Sequence, residues 1–122
     1  MKSPLHLTDD GGWRIEIKSY PKLTEVGAWG VEKYGYYGEF SPAEAGAKYN
    51  YGGFYTQQDI KDLVQYAKAH FVDILPEIDI PGHSMAAVVA YPELSGTKEA
   101  ATYKVYSGEK GFMDWTDHGI VA

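Results

Sequence analysis

Cysteine is absent from this 122-residue chain. That absence excludes a disulfide scaffold, a thiolate zinc site and a cysteine nucleophile together, and leaves the compartment open. No apolar run approaches the ~20 residues needed to span a bilayer. The N-terminus, Met1-Lys2-Ser3-Pro4-Leu5-His6, reaches Asp9 and Asp10 before an apolar core could form, so no signal peptide is expected in this chain. Basic residues are scarce: 11 Lys+Arg against 17 Asp+Glu leave a formal charge of −6, which argues against a nucleic-acid backbone or an anionic membrane as partner. Several site types are missing as well. His6, His70, His83 and His118 show no His-x-x-x-His spacing, and the carboxylates follow no calcium-loop pattern, so no metal or cofactor is expected. Ser84 sits in Gly-His-Ser-Met-Ala rather than a nucleophile elbow, and the Gly-Gly pairs at 11–12 and 52–53 fit no phosphate-binding fingerprint.

What is present reads as one ordinary globular unit, 44% hydrophobic and 23% charged. Eleven Tyr, three Trp and fourteen Gly suit loops that show aromatic faces to a ligand, and equally suit an irregular core. Leu5-His6-Leu7-Thr8 alternates like a short strand and enters the turn Asp9-Asp10-Gly11-Gly12. Trp13 to Lys18 has period 2 and predicts a second short strand or an extended segment. Residues 19–55, rich in Gly and Tyr, carry no sustained period. So long a loop points to function.

Thr56 opens the clearest helix. Asp59 three residues on forms a near capping box, and Ile60, Leu63, Val64 and Ala67 make one apolar face opposite Lys61, Asp62, Gln65 and Lys68, with an end near His70. Phe71 to Ile80 follows as a strand with Val72, Ile74, Ile78 and Ile80 on one face and Asp73, Leu75, Glu77 and Asp79 on the other. Pro81-Gly82 stops it, Ser84 is placed to cap a second helix over Met85–Ala90, and Pro92 ends that helix. Beyond Ser95, Tyr103-Lys104-Val105-Tyr106 reads as a strand and Ser107-Gly108 as a turn. Strand, loop, helix, strand, helix is the βαβ order of a parallel α/β fold, whose sites sit at the strand C-termini.

Asp9, Asp10, Asp79 and His83 lie where loops leave those strand ends. An Asp bonded to one imidazole nitrogen fixes the tautomer and leaves the other nitrogen to act on a third group. On the residues alone, Asp9 serves equally as a turn former and His83 as a loop residue bonded to backbone. Glu77 and Asp79 likewise fit a purely structural pairing.

Four stretches carry a resemblance. His6-Leu7-Thr8-Asp9-Asp10-Gly11-Gly12-Trp13-Arg14-Ile15-Glu16-Ile17, continued by Tyr20-Pro21-Lys22-Leu23-Thr24-Glu25-Val26-Gly27-Ala28-Trp29, resembles the motif around barrel strand 2 of glycoside hydrolase family 20, the β-N-acetylhexosaminidases. Gly52-Gly53-Phe54-Tyr55-Thr56-Gln57 resembles the stretch before the next helix. Pro76-Glu77-Ile78-Asp79-Ile80-Pro81-Gly82-His83-Ser84 resembles the strand 3 motif, and Ala90-Tyr91-Pro92-Glu93-Leu94-Ser95 follows it. The match covers residues 5–95 and is less clear over 96–122, so residues 1–122 are read as a single piece of a catalytic barrel.

The resemblance implies a partial (β/α)8 barrel with a long Gly/Tyr-rich loop after its first strand. It implies glycans ending in N-acetylhexosamine as substrates, cleaved with retention by the substrate's own acetamido group, an exception to the two-carboxylate scheme. Asp9 and His83 map onto the dyad that tunes the acid Glu, Asp79 and Asp10 onto supporting positions, and Glu77 and Arg14 onto structural ones. The sequence also departs from the family. It contains no Asp-Glu dipeptide, the pair that performs the reaction. It begins at strand 2, without the sugar-binding Arg of strand 1 or the pocket aromatics of later strands, and Gly11 stands where Gln is usual. A barrel takes about 250 residues, so the chain is expected to be inactive alone and to need self-association or the remainder of a barrel for support. A non-catalytic glycan-binding role for the aromatic loop is the alternative.

Overall fold

The backbone is described by a computed structural model covering residues 1–30, 48 and 51–95. The expected strand at 103–106, the turn at 107–108 and most of the Gly/Tyr-rich loop lie outside these residues.

Two parallel strands frame the molecule: β1 (Lys2–His6) pairs with β4 (Asp73–Glu77), from Lys2↔Asp73 to His6↔Glu77. Between them come α1 (Lys22–Glu25), the two-residue strands β2 (Trp29–Gly30) and β3 (Tyr51–Gly52), and α2 (Gln57–Ala69). After β4 come α3 (Met85–Ala90) and a single 3₁₀ turn, Pro92–Leu94. The chain is therefore α/β, with α2 as the crossover between parallel neighbours.

α2 forms where the sequence predicts it, and for the predicted reason. The Asp59 amide donates to Thr56 Oγ1 at 3.1 Å while the Asp59 carboxylate accepts from the Thr56 amide at 2.8 Å. Two donors of the first turn thus find acceptors within three residues, and a third, the Gln57 amide, donates to Glu16 Oε2 at 3.0 Å. At the other end Phe71 takes the left-handed conformation (φ 59°) and the Val72 amide returns to Ala67 O at 2.9 Å, so the chain reverses at once into β4.

The strands differ from expectation in extent. β1 starts three residues earlier than the Leu5–Thr8 alternation indicates, because its partner β4 and not its own composition decides where the ladder runs. β4 ends at Glu77 rather than Ile80, since β1 leaves the ladder for the turn closed by Gly12 N–H to Asp9 O at 3.1 Å. Beyond that point the Thr8 hydroxyl takes over, accepting from the Asp79 amide at 2.9 Å. The Trp13–Lys18 stretch is extended and makes one bridge, Ile15 to Tyr55. Its period-2 pattern instead sends Trp13 and Ile15 into the core.

That core gathers Leu7, Trp13, Ile15, Leu23, Ala86, Ala87 and Ala90. α3 contributes mostly alanine, so backbones approach closely. A Cβ on Gly27 would stand 2.5 Å from Leu23 O and 2.9 Å from Ala86 O, so only glycine fits between α1 and α3. On the opposite side apolar surface stays uncovered: Phe71 is 90% and Ile80 69% exposed, with Leu75 and Ile78 exposed beside them. Among the described residues, each of β1 and β4 is paired along one edge only.

Candidate active site

β1 and β4 end side by side, and every polar residue singled out above leaves from those ends. His6 is the last residue of β1, and Asp9 and Asp10 lie in the turn that follows. Asp79 stands two residues past β4, and His83 in the loop before α3. His83 has φ 53°, a left-handed backbone unusual for a non-glycine residue and common where a loop is held for a purpose.

Asp9 is the hub. Its Oδ1 accepts from the Asp10 amide at 2.7 Å and lies 3.4 Å from His83 Nδ1. Its Oδ2 lies 3.7 Å from His6 Nδ1. Asp10 is the more buried carboxylate, and its Oδ1 accepts from the Met85 amide at 3.1 Å, at the head of α3. Asp10 therefore does the capping expected of Ser84. The Ser84 backbone (φ −116°, ψ 18°) is not in the extended conformation of a cap, and its hydroxyl turns back to Asp79 O and Gly82 O at 3.1 and 3.0 Å. The loop carrying His83 is tied to the turn carrying Asp9 at its α3 end through Asp10, and its β4 end is held by the Thr8 hydroxyl just before that turn.

Sequence reasoning missed His6. Its Nε2 lies 2.6 Å from Asp79 Oδ2, the shortest contact in the cluster, and 3.9 Å from Glu77 Oε1. The hydrogen bond with Asp79 raises its pKa above 6.5 against the opposing effect of desolvation, and the charges of Asp79, Asp9 and Glu77 add to the rise. The one available signal is its place as the final residue of a strand three before Asp9. Its main partner, 73 residues away, leaves no local trace.

Arg14 is occupied structurally. Its guanidinium donates to Ala28 O at 2.7 Å, Gly53 O at 2.9 Å and Gly11 O at 2.8 Å, and lies 5.1 Å from the centre of the Tyr51 ring. Gly12, at φ 150°, leaves room for it: a Cβ there would stand 2.3 Å from an Arg14 nitrogen. Were a cation held among the described residues, two groups have the spacing: His6, Glu77 and Asp79, or Asp9, Asp10 and His83, each with ligand atoms within 4.8 Å of one another.

Carboxylates and imidazoles gathered at the carboxyl ends of parallel strands are the arrangement of an α/β enzyme site. The sequence model of glycosyl hydrolase family 20, catalytic domain, matches residues 4–116, and the chain belongs to that family. A β-hexosaminidase of Porphyromonas gingivalis is 49% identical over 90 residues, 74% of this chain and 10% of that protein. One from Vibrio furnissii is 51% identical over 89 residues, 72% of this chain and 14% of that protein. The solved exo-β-N-acetylglucosaminidase of Vibrio harveyi, in complex with N-acetylglucosamine, superposes with a TM-score of 0.63 at 43% identity over 80% of this chain and 15% of that one. The chain thus spans 10% and 14% of the length of the two curated relatives named.

Proposed function

We propose that this chain is a segment of a (β/α)8 catalytic barrel that removes terminal β-linked N-acetylglucosamine or N-acetylgalactosamine with retention of configuration. In that reaction the 2-acetamido oxygen attacks the anomeric carbon, an Asp orients the acetamido group and a Glu protonates the leaving oxygen. Asp9 and His83 support that Glu. Asp9 sits on Nδ1 of the imidazole, so Nε2 is left to meet the acid. Asp79 and Asp10 are positioning residues, the first through His6 and the second through α3. The observation that carries this reading is the 3.4 Å approach of His83 Nδ1 to Asp9 Oδ1 at the strand ends, within a chain of this family.

The acid and the acetamido-orienting Asp have no counterpart here, since the sequence holds no Asp-Glu dipeptide. Loss of a general acid alone typically forfeits ~10²–10⁴-fold in rate. The chain by itself is therefore inactive, and the uncovered faces of Leu75, Ile78 and Ile80 are where further barrel strands and helices, or a second copy, pack. The test is hydrolysis of a chromogenic aryl β-N-acetylglucosaminide by the purified chain, with His83→Ala as contamination control. No turnover is expected. Turnover abolished by His83→Ala would show that other carboxylates replace the missing pair and would overturn the inactivity.

A further inference from the structure

Asp79 stands just past the point where β4 loses its partner. In the register of the pair the Asp73 amide meets Met1 O and the Leu7 amide meets Glu77 O. The next acceptor along that row, due to the Asp79 amide, is Leu7 O. That carbonyl is taken by the Arg14 amide at 2.8 Å, where the chain folds back after the turn. The Asp79 amide goes instead to Thr8 Oγ1 at 2.9 Å. Its carbonyl is held too, accepting from Ser84 Oγ at 3.1 Å. Both hydroxyls are buried, Thr8 at 2% and Ser84 at 3% exposure. Buried hydroxyls need partners, and most find them locally. Thr24, the other buried polar side chain among the described residues, donates to Pro21 O three residues away. Thr8 reaches across 71 residues of sequence to the residue that Ser84 grips from the opposite side of its backbone.

We infer that Thr8 and Ser84 are positioning residues, a pair of buried hydroxyls that hold Asp79 against His6 and so fix the arm of the site that reaches Asp9 through the His6 ring. With its amide and carbonyl both tied, Asp79 has only its side-chain torsions left to set, and its Oδ2 rests 2.6 Å from His6 Nε2. His6 Nδ1 in turn lies 3.7 Å from Asp9 Oδ2. The inference rests on the glycosidase reading for calling this arm part of a reacting centre. It goes beyond that reading in giving a role to two residues that carry no charge and touch no reacting atom.

The test is NMR of the ¹⁵N-labelled chain, following the Asp79 amide and the His6 ring. In the parent the Asp79 amide should exchange as slowly as the Leu7 amide of the ladder; fast exchange would overturn the grip whatever the variants do. Thr8→Val keeps the shape and removes the acceptor, so Asp79 exchange should quicken about two- to tenfold. The His6 titration should move down toward 6.5, and Thr8→Ser should restore both readings. Ser84→Ala should lower the His6 titration from the other side, and serves alone if Thr8→Val unfolds. Asp9 and Glu77 also face the His6 ring, at 3.7 and 3.9 Å, so the route is checked in the Asp79→Asn background. There Thr8→Val should have no further effect on His6. A His6 titration unmoved in both folded variants, or one that still falls without the Asp79 charge, would overturn the inference. Neither result touches the glycosidase reading, since no readout depends on turnover.

Discussion

Replacing Arg14 by Lys removes the clamp that holds the Tyr51–Tyr55 segment to the turn after β1. The guanidinium serves three carbonyls, of Gly11, Ala28 and Gly53, from two nitrogens in a fixed plane. A lysine ammonium is a single point on a shorter, flexible stem: at best it takes the place of Nη1 between the Ala28 and Gly53 carbonyls and gives up the bond to Gly11. That one hydrogen bond from a charged donor gives an expected loss of about 1.5–3 kcal/mol. Urea unfolding followed by circular dichroism reads the total. Hydrogen exchange reads the location, because the Gly53 amide, bonded to Ala28 O at 3.2 Å, belongs to the clamped segment. Its exchange should accelerate about tenfold for each 1.4 kcal/mol lost locally. An unchanged unfolding midpoint together with unchanged Gly53 exchange would refute the clamp and leave those carbonyls to water.

Two further outcomes follow from local geometry. His6 should titrate above 6.5 by NMR, and its raised pKa contributes stability that is complete below pH 6.5 and lost as pH climbs through the folded value; Asp79→Asn should move the titration back toward 6.5, and a titration unmoved by that change would sink the assignment. Thr56→Ala should cost about 1 kcal/mol by thermal or urea unfolding while Thr56→Ser stays near the parent, and equal losses from both would show that the hydroxyl is not the capping group.

How far the sequence could be read depends on the distance between partners. α2 was legible because Thr56 and Asp59 sit three residues apart and its apolar positions recur within one helix. The bounds of α3, Met85–Ala90, were legible too, but its cap was not: it is Asp10, 75 residues upstream, and nothing near Ser84 signals that a distant carboxylate has taken the role. β1 was misplaced for the same reason: Lys2 and Pro4 are poor strand formers, and they join the ladder because β4 runs beside them. At the site, spacing brought Asp9, Asp79 and His83 to strand ends but left their roles open. The resemblance, not the chemistry of the residues alone, singled out Asp9 with His83. His6 went unread although it makes the tightest contact of the group.

The parallel pair has one more consequence. In a strand, alternate residues direct both amide and carbonyl to the same side. The Asp73 amide meets Met1 O and the Leu7 amide meets Glu77 O, so odd-numbered residues of both strands face inward. Pro4 and Pro76 are even-numbered, and each therefore lies on the outer edge of its strand. Neither has an N–H to offer. Among the described residues both outer edges are unpaired and each has a missing donor in its interior, so a stray strand arriving at either one meets a broken row of partners. Despite its bare apolar flank, the chain carries its own obstacle to fibrillar stacking.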